Sequence, residues 1–266
     1  MSDESAPSLL VEHVGAVAHI TLNRADRRNA IDIPTCFALT DLLERLDRDR
    51  AVRAIVIAGA ERDFCTGADV TGSPDAIAKM TTLDYRYSST QFQDLFHRLW
   101  ETETPVVSAV TGTVAGAGWM LALLADIVVA AEGARWTHVF TRRGMVPHAG
   151  DSYFMPRIIP FHRLNEIALL SEPIPSETLH QWGLVNRLVP AADVVTTALQ
   201  LAGTLAEGPT RALAMTKRLY RRSIDSDIAT AFEAERTAQA LISTTSDRRE
   251  GVQSLIERRP ANFVGD

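Results

Sequence analysis

The stretch from Pro105 to Ala131, PVVSAVTGTVAGAGWMLALLADIVVAA, carries one ionisable residue, Asp126, and must leave water wherever the chain folds. It can do so in a bilayer or in a protein core. A spanning helix takes about twenty continuous apolar residues. Here Thr111-Gly112-Thr113 and Asp126 interrupt the run and no Lys/Arg cluster flanks it, so a core is the expected destination. Val106 to Val110 reads as a buried strand, Thr111 to Thr113 as a tight turn, Trp119 to Ala125 as a buried helix and Ile127 to Val129 as the next strand. Between turn and helix lie Ala115, Gly116, Ala117 and Gly118, all small enough for a close backbone approach. The first N–H groups of a helix lack internal partners and sit at the positive end of its dipole. They either hold a developing oxyanion or mark a helix start that is only close-packed.

With 266 residues, 46% hydrophobic and 23% charged, the chain suits one large globular domain or a domain with an appendage. A net charge of −6 argues against nucleic acid or an anionic membrane as the general partner. Two cysteines, Cys36 and Cys65, form neither a disulfide framework nor a metal-binding spacing. The start, MSDESAPS, lacks the apolar segment of a secretory signal, so a reducing, cytoplasmic setting is expected.

Leu9 to Leu22 alternates around Gly15 and predicts a β-hairpin at a sheet edge. A polar loop follows with Arg24, Arg27 and Arg28. Pro34 suits the first turn of a helix carrying Cys36, Leu39, Leu43 and Leu46. Val52 to Gly59 predicts a buried strand leading into DFCTGADV, residues 63–70, a loop of small residues. Residues 73–102 read as a short segment and then a helix through Gln91, Leu95, Phe96 and Leu99. Arg135 to His138 reads as a short strand, Thr141 to Asp151 as a loop, and Ser152 to Leu170 as helix broken at Pro160. A short helix ends at Gly183 before a strand, Leu184 to Leu188. From Ala191 the pattern is helix after helix, and the shift at Glu207-Gly208-Pro209 divides a core, 1–207, from a helical region, 208–266. A helical tail too small to bury its own apolar face predicts an assembly element.

Four segments in this order resemble the crotonase, or enoyl-CoA hydratase/isomerase, family: LNRADRRNAI, DFCTGADV, VTGTVAGAGWMLALLADIVVAA and the ending RREGVQSLIERRPANFVG. The resemblance spans nearly the whole chain. It implies an α/β fold, a spiral of β–β–α turns with a C-terminal all-helical oligomerisation region that forms a homotrimer or a dimer of trimers. It also implies an acyl-CoA thioester as substrate, with CoA part of that substrate and no separate cofactor or metal. The thioester carbonyl is polarised by two backbone N–H groups, carried over here to Ala68 and to Ala117, where the family usually has glycine. Arg24, Arg27 and Arg28 match the region near the CoA phosphates, with Asp69 organising the adjoining loop. Arg259 and Phe263 match tail positions that cover the nucleotide, from this chain or a neighbouring subunit.

The chain departs from the family where water is activated. The two positions that hold glutamates in hydratases are Met120 and Phe140, and neither side chain exchanges a proton. Isomerases and dehalogenases of the family place a working carboxylate four residues after the glycine that here is Gly144. This chain has His148 there, an imidazole suited to general base chemistry beside a thioester. A helix beginning near Ala149 would keep that ring neutral, and Asp151 either orients it or caps the helix at its third position. His138, at a strand end, reads as site lining or as a hydrogen-bonded histidine. Proton transfer by His148, isomerase-like or in a divergent lyase, is the expected chemistry. Hydration with a non-standard base, an inactive acyl-CoA-binding or assembly protein, and carbon–carbon bond hydrolysis by His148 and Asp151 are the alternatives.

Overall fold

Gly15, at φ +59°, turns Leu9–Val14 (β1) back on Val17–Leu22 (β2), and the two pair antiparallel as the edge of a sheet. The computed structural model describes residues 6–69 and 79–266. Ala54–Gly59 (β3), Val106–Val110 (β4), Ile127–Ala131 (β6) and Arg187–Val189 (β9) continue that sheet in parallel, in the order β1-β2-β3-β4-β6-β9. Thr113–Ala115 (β5), Arg135–Thr137 (β7) and Ile174–Pro175 (β8) form a second sheet in the order β5-β7-β8.

The parallel strands are buried on both faces, and their side chains divide between two cores. Ile55 and Ile57 point to the larger core with Leu39, Leu43, Leu95, Phe96, Leu99 and Trp119. These come from the helices Ile33–Arg48 (α1), Thr90–Glu101 (α3, after the short α2 at Thr82–Ser88) and Ala117–Leu123 (α4). Asp32 caps α1 by accepting the Thr35 N–H at 2.9 Å, and Pro34 occupies its first turn. Ala54, Val56 and Ala58 point the other way, onto Ala198, Ala202 and Ala206 of the helix Val194–Ala206. An alanine at every fourth position lets that helix lie close against the sheet.

The structure departs from the sequence reading in several places. After Val110 the chain makes not only a turn but the short strand β5, which pairs with β7. Three residues are too few for a periodicity to register. The strand predicted at Leu184 begins instead at Arg187, because the Leu184 N–H still bonds the Leu179 carbonyl behind the preceding helix. Pro160 breaks the helical stretch as expected, into Asp151–Ile158 and Phe161–Leu170, but the first piece starts with Asp151 as its first residue. Residues 70–78 of the second loop and of the 73–102 segment lie outside the described residues.

Beyond Pro209 come the helices Thr210–Ser223, Ile228–Ile242 and Ser246–Glu257. The first is fastened to the core by charge. Lys217 Nζ lies 2.7 Å from Asp126 and donates to the Thr104 carbonyl at 2.9 Å, and Arg221 reaches the other Asp126 oxygen at 2.9 Å. Asp126 also accepts the Val106 N–H, so it ties two strands and a distant helix together. Burial pushes the Lys217 ammonium down to about 8, against the pull of Asp126. Among the described residues no helix is long and apolar enough to cross a membrane.

Candidate active site

Three loops are drawn together around the start of α4. Asn29, in the left-handed region at φ 56°, donates through its amide to the carbonyls of Ala60 and Asp63, fixing the first loop to the second. The Ile31 N–H bonds the Gly67 carbonyl and the Asp69 N–H bonds the Ile31 carbonyl, each at 2.8 Å, so Ala68 is bracketed like a residue in a strand. The second loop pairs with β5 through Ala115 N–H to the Cys65 carbonyl, 3.0 Å. Gly118 stands so near the Cys65 carbonyl that a Cβ there would meet its oxygen at 2.2 Å. Gly67 lies alongside Ala117, at φ +108°, with the Ala117 nitrogen 3.5 Å from where its Cβ would be. No side chain but hydrogen fits this approach without strain.

The result is two backbone donors side by side. Ala117 is the first residue of its helix, preceded by Gly116, and the N–H groups of Ala68 and Ala117 have no acceptor among the described residues. A pair of fixed, unpartnered N–H groups is suited to the charge that develops on a thioester oxygen.

The arginines serve this frame more than the sequence suggested. Arg24 donates to Asp69 at 2.9 Å and to the Ala30 carbonyl, and it pairs with Asp32 at 3.0 Å. Arg28 grips Asp63 at 2.8 Å and Thr113 Oγ1 at 2.7 Å. Burial raises the Asp63 acid, but bonds from Arg28 and Thr113 outweigh it and hold it below the usual carboxylate range. Both arginines thus clamp loops. Arg27 keeps its guanidinium exposed, with Asp26 3.5 Å away. In the tail, Arg259 is bound to Glu250 and Glu257, and Phe263 lies against Gly251 of the same chain. Val264 and Gly265 N–H groups donate to Asp247, which seals the tail onto its own last helix.

Met120 is fully buried and Phe140 is 3% exposed, so the two hydratase positions are filled by packed apolar side chains. Phe140 stands edge-on to two histidines, with ring centroids 4.8 Å from His138 and 5.1 Å from His148. Phe92 meets His148 at 6.5 Å. His148 is half-buried among these rings, and burial lowers its pKa although Asp151 pulls it upward. The sequence reading left Asp151 either orienting His148 or capping the helix. The structure instead hydrogen-bonds Asp151 to His138 Nε2 at 3.1 and 3.2 Å, with both side chains buried. Asp151 begins its helix without a capping bond of its own, which corrects the reading of it as a third-position cap. The alternation of Trp136 inward and Thr137 outward could have signalled that His138 turns into the core.

A cavity of about 760 Å³ is lined by Trp100, Phe154, Lys217 and Arg221. It meets the site only through Ala149 and Gly150 and includes neither N–H donor. The paired donors and His148 lie outside the lining of this cavity.

Residues 12–266 match the family model for enoyl-CoA hydratase/isomerase. The 1,2-epoxyphenylacetyl-CoA isomerase of Escherichia coli K12 is 33% identical, over 96% of this chain and 98% of that one. The 2,3-dehydroadipyl-CoA hydratase of the same organism is 32% identical, over 97% and 98%. The crystal structure of the enoyl-CoA hydratase of Bacillus anthracis superposes with a TM-score of 0.90 at 26% identity, covering 98% of this chain and 100% of that one.

Proposed function

Since the chain belongs to the enoyl-CoA hydratase/isomerase family, we propose that it moves a proton on an acyl-CoA rather than adding water to one. The thioester oxygen sits between the Ala68 and Ala117 N–H groups. His148 takes a proton from a carbon conjugated to the carbonyl, the electron pair of that C–H bond passes to the oxygen as an enolate, and the same imidazolium returns the proton to the chain. The step balances without water, metal or redox cofactor, and CoA enters as part of the substrate. The observation that carries this reading is the exchange of side chains: the hydratase positions hold Met120 and Phe140, while the carboxylate position of the isomerases holds His148. Burial keeps that imidazole neutral near pH 7 and so able to accept.

Arg27 supplies the outward charge for the CoA phosphates at the first loop, and the tail carrying Arg259 and Phe263 covers the nucleotide. Phe232, Leu241, Leu255 and Ile256 expose apolar surface along the last helices, which supports assembly into a trimer, or two trimers, in a cytoplasmic setting. Carbon–carbon hydrolysis by a histidine–acid pair at the substrate is less well supported, because the acid is bonded to the buried His138.

The test is solvent deuterium exchange at the acyl α- and γ-carbons across a panel of acyl- and enoyl-CoAs. Exchange by the wild type that His148→Ala loses is the expected result. Exchange retained by the variant would move the base elsewhere, and CoA binding without exchange or turnover would leave a binding protein.

A further inference from the structure

We infer that Asp151 and His138 position His148 through one buried water, held between the Nδ1 atoms of the two histidines. This rests on the reading of His148 as the base. His138 is wholly buried, and its Nε2 faces both carboxylate oxygens of Asp151. An ionised carboxylate only accepts, so Nε2 carries the hydrogen and, in the neutral ring, Nδ1 is a bare acceptor. That Nδ1 is buried without a partner.

His148 has the complementary defect. Its Nδ1 is also buried without a partner, which leaves Nε2 as the accessible nitrogen. To take a proton at Nε2, the neutral ring must carry its hydrogen on Nδ1. The two orphaned atoms are therefore of opposite kind, a donor on His148 and an acceptor on His138. Phe140 packs edge-on against both rings, so one side chain adjoins the two histidines.

Buried polar atoms are nearly always satisfied, and buried water does this by bridging. A single water accepting from His148 Nδ1–H and donating to His138 Nδ1 satisfies both. The hydrogen-bond polarity then runs unbroken from the Asp151 carboxylate to the accessible Nε2 of His148. No proton needs to travel along it: the chain holds one tautomer before the reaction and favours the imidazolium after it. Asp151 and His138 are the titratable groups on this side of His148, while α3 presents the apolar Phe92. Asp151 and His138 are both buried and act through His148, so both are positioning residues.

The test is 15N NMR of histidine-labelled, full-length protein as wild type, as Asp151→Asn, and as the double variant His138→Phe/Asp151→Leu. The double variant replaces a buried polar pair by apolar side chains of similar size, a change that cores tolerate; thermal melting reports that it folds. Wild-type His148 is expected as the Nδ1–H tautomer. In the double variant the Nε2–H form, commoner for histidine in water, takes over, and in Asp151→Asn the His148 titration midpoint falls. Turnover should drop by about 10- to 100-fold in kcat with KM within about threefold. A wild-type Nε2–H tautomer, or a tautomer unchanged in the folded double variant, would overturn the relay. Should the double variant not fold, an unchanged midpoint in Asp151→Asn would do the same. Failure of the base assignment is separate: it is read from exchange surviving in His148→Ala, whereas the tautomer is read on the resting protein.

Discussion

Gly118 meets the carbonyl of Cys65 so closely that a Cβ would stand 2.2 Å from its oxygen. This contact sets the start of α4 against the second loop and so fixes the Ala117 N–H relative to that of Ala68. In Gly118→Ala one of the two must retreat. A loss of about 3 kcal/mol is expected from overpacking at a backbone contact, with exchange at the acyl carbon lowered at least about 100-fold as the donor pair is disturbed. Thermal melting and isotope exchange measure the two effects, and a variant indistinguishable from wild type in both would contradict the packing.

Acid should silence the protein by protonating His148. Burial sets its pKa below the ordinary 6.5, so the base is free above that lowered value and lost as pH falls through it. The acidic limb of a kcat/KM profile is therefore expected below pH 6.5. The unfolded chain binds the same proton more readily, so stability also declines as pH falls from 6.5 toward the folded value. A limb above 7 would mean that another group limits turnover.

Neighbouring arginines should fail in opposite ways. Arg27→Ala removes an exposed guanidinium and is expected to raise KM for the CoA thioester about threefold to tenfold, with wild-type melting and a weaker salt dependence. Arg28→Ala strips Asp63, 5% exposed, of its ion pair and should cost about 1–3 kcal/mol. Titration with CoA and calorimetry on both variants would expose a reversed assignment.

Lys217→Met should loosen the helical region. Asp126 keeps Arg221 and the Val106 N–H, so the cost is expected near the low end for a broken buried pair, about 2–3 kcal/mol. Hydrogen exchange should quicken first in Thr210–Ser223, and uniform protection there would argue that apolar packing alone holds it.

Much of this fold was legible because local pattern and burial agree. The hairpin around Gly15, the strand at Val106–Val110 and the helix capped by Asp32 each follow from a few residues. Small residues at 67–68 and 115–118 signalled a close backbone approach, while the assignment of Ala68 and Ala117 as the two donors came from the family resemblance. Partners across long separations were not. Arg24 and Arg28 look like free cations in sequence, and only folding brings Asp69 and Asp63 to them. Asp151 is three residues from His148 but turns to His138, thirteen residues back, because the N-terminal turn of its helix points into the core.

The segment that carries His138, Phe140, His148 and Asp151 is distinct from the loops that supply the two N–H groups. In the proposed reaction one part grips the thioester by backbone alone, which tolerates side-chain drift. The other decides what happens to the chain, through a few side chains between Thr137 and Asp151. Such a protein can acquire a different reaction while its hold on the common handle stays unchanged, and substitutions in this short stretch are where new chemistry would first arise.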